Sequence, residues 1–183
     1  MGIIIAFVIL GVIIVGIVSG GVAIYNRLVM LKYNVDKNFA NIDVILKQRV
    51  DEIPNLIAVV KKTQGYEESL LNQLTELRTA FLSSRSTDEK VQLANEVGKL
   101  LNSFFAVSEN YPELKAVESF RTLQLRVSDL EDMLSDRREL YNESVNMYNI
   151  GIHEMPALLF ARPMGYTDKP LLHISEEEKK YDG

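Results

Sequence analysis

Residues 3–25 read IIIAFVILGVIIVGIVSGGVAIY, with no charged side chain among them. No other feature restricts so strongly what this chain can fold into. As an α-helix rising about 1.5 Å per residue, the run is roughly 34 Å long, enough to cross the hydrocarbon core of a bilayer. A cleaved signal peptide is the rival reading, because Gly21-Val22-Ala23 loosely mimics a small-x-small cleavage site. However, no basic residue precedes the run, and it is longer than a signal peptide's apolar stretch, so a retained transmembrane helix over residues 1–25 is expected. Arg27, Lys32 and Lys37 follow it closely. The positive-inside rule therefore puts the body of the protein in the cytoplasm and the N-terminus outside. Inside the run, Gly16 and Gly20 form a GxxxG, and Ser19 and Ala23 repeat the small-xxx-small spacing one face over. Small residues let two helix backbones approach closely in lipid, although glycine is common in spans whether or not it packs.

The charge beyond the span is uneven. Residues 26–62 carry seven basic and four acidic side chains, a net of +3, in a chain whose net charge is −5. A basic segment beside the span and an acidic body suit an anionic leaflet, and an ordinary solvated helix face is the alternative. The acidic balance argues against nucleic acid as a partner. With no cysteine there is no disulfide, thiolate metal site or cysteine nucleophile, and nothing marks an oxidising compartment.

Past the span the spacing is helical throughout, and no alternating strand pattern occurs. No Pro or Gly interrupts Val22 to Ile53, so the span is expected to continue directly into the first soluble helix. Leu28, Leu31, Val35, Phe39, Ile42, Leu46, Arg49, Ile53, Leu56 and Val60 recur every three or four residues and predict one core-facing stripe, with Gly65 as its stop. Tyr66, Leu70, Leu74, Leu77 and Phe81 predict a second, shorter helix. Ser86 with Glu89 reads as a capping box opening a third. Pro112 stands where proline is tolerated, in the first turn of a fourth, whose stripe runs Leu114, Val117, Phe120, Leu123, Val127, Leu130, Leu134, Arg137, Tyr141, Val145, Tyr148, Ile152. The expected fold is all-α: one N-terminal transmembrane helix running into an antiparallel up-down bundle of about four helices over 26–155, then an irregular tail over 156–183.

Polar residues on these stripes are the candidates for special roles. Pro54 removes a backbone donor and clashes with the Val50 carbonyl, so it should kink or split the first helix. Arg49 and Arg137 fall on core stripes and need partners, with Asp43, Asp51, Asp136 and Glu109 as the candidate carboxylates; a polar layer inside the bundle or snorkelling at its rim is expected. Such a layer would fix helix register or, alternatively, line a ligand slot. Tyr141 and Tyr148 lie a heptad apart, as do Asn142 and Asn149, on adjacent ridges of one helix. Enzyme chemistry finds no support. Neither His153 nor His173 has a Glu three residues before it for a di-iron site, and there is no HExxH and no GxxxxGK[ST]. Catalytic, cofactor-binding and metal-binding residues are all expected to be absent.

Several ordered motifs then carry a resemblance. Tyr25-Asn26-x-Leu28-Val29 is followed by Ile42-Asp43-Val44-x-Leu46-Lys47-x-Arg49-x-Asp51-x-Ile53-Pro54-Asn55-Leu56. Later come Glu109-Asn110-Tyr111-Pro112-x-Leu114-Lys115-Ala116, Phe120-x-x-Leu123-Gln124, and Arg137-Arg138-x-x-Tyr141-Asn142-x-x-Val145-x-x-Tyr148-Asn149. Over about residues 22–165 this set resembles the signature of the LemA family. The phenylalanine usual after the late glycine stands here as Tyr166, and 66–108 matches only in pattern. The resemblance implies a bacterial-type inner-membrane protein with one N-terminal span, an all-α soluble domain and no known catalytic residues. One relative is associated with building a magnetosome membrane compartment, and others are encoded beside membrane proteases. The function expected is a non-enzymatic, membrane-anchored scaffold that self-associates and organises membrane or membrane proteins. The alternative is an adaptor presenting partners to another membrane protein, such as a membrane protease. Expected partners are membrane lipid, further copies of the chain and, on the adaptor alternative, another membrane protein, with no cofactor and no nucleic acid.

Overall fold

In a computed structural model, residues 1–61 and 68–172 are described, and every regular element among them is helical. The expected stop at Gly65, the start of the second stripe at Tyr66 and the charged C-terminus lie outside the described residues. Helix α1 runs Gly2–Asp51, so the apolar run does pass without a break into polar helix. Then come α2 (Ile53–Val60), α3 (Glu68–Ser83), α4 (Thr87–Ser108), α5 (Pro112–Lys115), α6 (Glu118–His153) and α7 (Leu158–Ala161). The chain is an all-α protein: one long apolar N-terminal helix followed by further helices forming a bundle.

The break between α1 and α2 falls at Glu52, two residues before Pro54. Proline thus occupies the first turn of α2, where its missing N–H costs nothing. The Glu52 amide bonds the Arg49 carbonyl at 3.3 Å, a tightened turn, and Leu56 resumes i→i−4 bonding to Glu52 at 3.0 Å. Ser86 is the N-cap of α4, but its side chain makes no capping bond. The expected box is replaced by Ser84, whose hydroxyl donates to Glu89 Oε2 at 2.7 Å. The fourth predicted helix is also divided, into α5 and α6. Leu114 and Phe120 are both fully buried, while Val117 between them is 37% exposed. Six residues along a straight helix turn about 240°, which would put those two on different faces. The turn at Ala116–Val117 brings both to the core.

The chain divides into two compact units, one of residues 1–40 with 138–172 and one of residues 41–137. In the first, α1 and α6 run antiparallel. Asn38 Nδ2 bonds the Leu140 carbonyl, the Leu31 side chain fills the space over Gly151, and Arg27 pairs with Glu154. In the second, α1, α3, α4 and α6 alternate in direction. Asp43 pairs with Lys90 and Arg49 abuts Gly98, so α1 and α4 run the same way. Arg49 pairs with Glu131 and Glu52 with Arg126, so α1 and α6 run oppositely. The core of this unit includes Ile42, Leu46, Leu56, Leu74, Val97, Leu101 and Phe104, all at most 2% exposed. Phe105 and Phe120 join Phe104 in an aromatic cluster with ring centroids 5.7–6.3 Å apart.

Candidate functional site

Three places collect the residues singled out above. The first is the apolar face of α1. Gly16 and Gly20 have nothing within 4 Å of where a Cβ would stand, and the Ser19 hydroxyl bonds the Gly16 carbonyl at 3.0 Å. Ser19, Ala23 and Asn26 are exposed. None of the most apolar stretch is buried within the chain, and this is a helix long and apolar enough to cross a membrane. Large apolar side chains from Ile3 to Val22 left open are costly in water and satisfied in lipid.

The second place is a clasp in the first unit. Asn142 donates from Nδ2 to the Leu172 carbonyl at 3.0 Å and accepts from the Leu172 amide at 2.8 Å. One heptad later, Asn149 does the same to Lys169, with both bonds at 2.9 Å. The spacing explains itself: seven helical residues rise about 10.5 Å, and three extended residues cover about 10 Å, so the tail runs antiparallel along α6 in register. Tyr148, almost fully buried, meets the Tyr166 ring at a tilt with centroids 5.9 Å apart, while Lys32 lies over the Tyr166 ring at 5.2 Å and Lys169 reaches Asp36 at 2.7 Å. Burial pushes the Tyr148 hydroxyl pKa up, and Tyr166, Asp168 and Asp36 add to the shift. Tyr141 is buried and meets Phe39 edge-on at 5.8 Å. Part of the tail expected to be irregular therefore serves as packing for this unit.

The third place is a charged layer in the second unit. Arg49 is 3% exposed, with its Nη2 2.5 Å from Glu131 Oε2. Neither Arg49 Nε nor that Glu131 oxygen makes a well-aligned hydrogen bond, so the pair is only partly satisfied. Burial lowers the Arg49 pKa from its ordinary value, and Glu131 opposes the shift. The partner is thus Glu131 rather than Asp43, Asp51, Asp136 or Glu109. Of those four, Asp43 pairs with Lys90 at 3.3 Å and Glu109 with Lys115 at 2.5 Å. A Cβ on Gly98 would stand 2.8 Å from Arg49 Nη2, so the glycine makes the room the guanidinium occupies. One turn on, the buried Glu52 takes Arg126 Nε at 2.6 Å and Asn55 Nδ2 at 3.0 Å. Pro54 and Asn55 are exposed beside it, while Tyr111 caps α5 and Pro112 opens it. The second arginine was misplaced by sequence reasoning. Arg137 is exposed and its neighbour Arg138 is buried, because 134→137→141 and 134→138→141 both satisfy helical spacing.

Arg49 and Glu131 line a cleft of about 690 Å³, with Phe105, Phe120 and Leu125 as apolar wall and Lys115, Arg121 and Asp132 at its edge. Its size is that of a small-molecule or peptide-tail site. Among the described residues no group of three or more His, Asp or Glu could hold a metal ion.

An apolar, unburied N-terminal helix continuous with an all-α body defines the class: a membrane-associated helical protein. The family profile described as LemA family matches residues 38–182, and the chain belongs to that family. It is similar to magnetosome proteins MamQ 1 and MamQ 2 of Paramagnetospirillum magneticum, each 23% identical over 158 residues, covering 72% of this chain and 58% of the relative. MamQ of Magnetospirillum gryphiswaldense is 20% identical over 175 residues, covering 81% of this chain and 64% of the relative. The chain thus spans about six tenths of the length of these relatives. Neither the family description nor their names carry an enzymatic activity.

Proposed function

We propose that the protein is a non-enzymatic scaffold, anchored in a bacterial inner membrane with its soluble units in the cytoplasm, that self-associates and organises membrane or membrane proteins. The observation that carries this reading is the open small-residue face at Gly16, Ser19, Gly20 and Ala23 on a helix that continues without a break to Asp51. Spans packed through that face would align the soluble units that follow. Confinement to a plane raises effective concentration, so contacts of about 1–2 kcal/mol each add up to assembly. The relatives named as magnetosome proteins support a role at a membrane compartment. Light scattering and native mass spectrometry in mild detergent test it. Wild type is expected as an oligomer of more than two chains, and Gly16→Leu with Gly20→Leu as a looser one. A monomeric wild type sinks the scaffold. It would promote an adaptor, a reading that the cleft beside Arg49 favours. For topology, Arg137→Cys is expected to resist impermeant thiol reagents in intact cells, and ready labelling would reverse the orientation.

A further inference from the structure

We propose that the turn Met155–Ala161 is a second membrane contact, an interfacial foot seated in the lipid of the leaflet from which α1 emerges. The inference rests on the membrane-anchored reading and adds a partner surface to it.

The levels along α1 trace the path of the chain. Glu154 pairs with Arg27 at 2.9 Å, at the level where charge begins on α1. Six residues later, the Phe160 ring lies 3.6 Å from the Cβ position of Gly21, inside the apolar run. By Tyr166 the chain has returned to Lys32, 5.2 Å from its ring. The chain thus descends past the level of first charge and climbs back. Gly21 is four residues short of the end of the run at Tyr25, a depth of about 6 Å, and interfacial elements bury to about 5–10 Å.

Sequence and exposure follow the same path. Met155 to Ala161 is MPALLFA, uncharged between Glu154 and Arg162. Ala157 and Ala161 are buried, whereas Met155 is 69% and Leu159 64% exposed. A turn facing water would put its small or polar residues outward; this one does the reverse. The amides of Leu158 to Ala161 are all met within the turn, which suits lipid, where an unmet amide is costly. Leu158 bonds the Glu154 carbonyl at 2.8 Å, and Phe160 and Ala161 bond that of Ala157, each at 2.9 Å. Gly165, at φ +68°, closes the segment as a Schellman motif, with Tyr166 N bonding Ala161 O and Gly165 N bonding Arg162 O, each at 3.1 Å. Continuity with the span selects lipid as the occupant: Phe160 lies against Gly21 inside the apolar run, and the exposed Leu159 is its neighbour in the turn.

The chain lacks tryptophan, so single-Trp variants of the full-length protein report one position each. Leu159→Trp and Met155→Trp are reconstituted in phosphatidylcholine vesicles carrying bromine at shallow or deep acyl positions. Ile14→Trp marks mid-span and Tyr33→Trp marks α1 beyond it. Leu159→Trp and Met155→Trp are expected to emit to the blue of Tyr33→Trp and to lose most of their emission to shallow bromines, with less loss to deep ones. If both match Tyr33→Trp while Ile14→Trp is quenched, the foot is overturned and the anchor stands. Blue-shifted emission untouched by bromine would mean that protein covers the turn, and also overturns it. If Ile14→Trp is itself unquenched, the anchored reading falls and the foot with it.

Discussion

The two compact units tie their segments together by different chemistry. In residues 1–40 with 138–172, which also bury Arg138, neutral amides hold the tail: the part-buried Asn142 and Asn149 each complete a donor and an acceptor bond to one residue of it. Residues 41–137 use charge: Arg49 with Glu131, and Glu52 with Arg126. A neutral amide that meets both backbone polar groups of one residue brings no charge of its own and holds one register of the chain beside it. A buried guanidinium is costlier to desolvate, and its pair here is incompletely bonded at the edge of a cleft. The clasp therefore holds register with its polar atoms met, whereas the charged layer leaves Arg49 Nε and Glu131 Oε2 buried without an aligned partner.

The largest expected effect tests that contrast at Arg49. Arg49→Ala should lower stability by about 3 kcal/mol, the lower end of the range for breaking a buried pair, because Glu131 is half-exposed and can rehydrate. Arg49→Met keeps the volume of the stem and should lose about half as much. Thermal unfolding in detergent followed by circular dichroism ranks the three proteins, and identical midpoints would remove Arg49 from the core.

Next come the amides. Asn149→Asp keeps an acceptor for the Lys169 amide but sets a carboxylate against the Lys169 carbonyl, and should cost about 2 kcal/mol. Hydrogen exchange should show protection lost at residues 166–172 and retained through 41–137. Protection lost equally in both stretches would break the contrast between the units.

The smallest effect is at Tyr148, whose raised pKa means that the fold favours the neutral phenol. The sign follows. An unfolded tyrosine ionises near pH 10 while the folded one holds its proton, so the contribution is whole below about pH 10 and is lost as pH rises beyond it. Tyr148→Phe should cost no more than about 1 kcal/mol at neutral pH and should flatten the alkaline fall in stability. An unchanged alkaline slope would assign that fall to other groups.

Much of this was legible in advance because it depends on local periodicity. The uncharged run, its continuation into polar helix, the burial of Arg49 and the break near Pro54 all follow from spacing and backbone chemistry along one segment. So does the family, since its motifs are ordered residues. The errors arose where two placements satisfy the same local rule. Arg137 and Arg138 fit the same stripe, and Val117 fits the spacing between Leu114 and Phe120 until the turn at Ala116–Val117 exposes it.

What only the tertiary structure decided are the partners. Nothing local chooses Glu131 from 25 acidic residues, because an ion pair depends on the distance between helices and not on the distance along the chain. The Asn142 and Asn149 amides could be seen to share a ridge, but they bind backbone atoms of Leu172 and Lys169, which every residue carries and no side-chain pattern can mark. Likewise PALLFA, residues 156–161, reads as the start of an irregular tail until Phe160 is found against Gly21. Sequence determined which faces must leave water; packing determined what each of them meets.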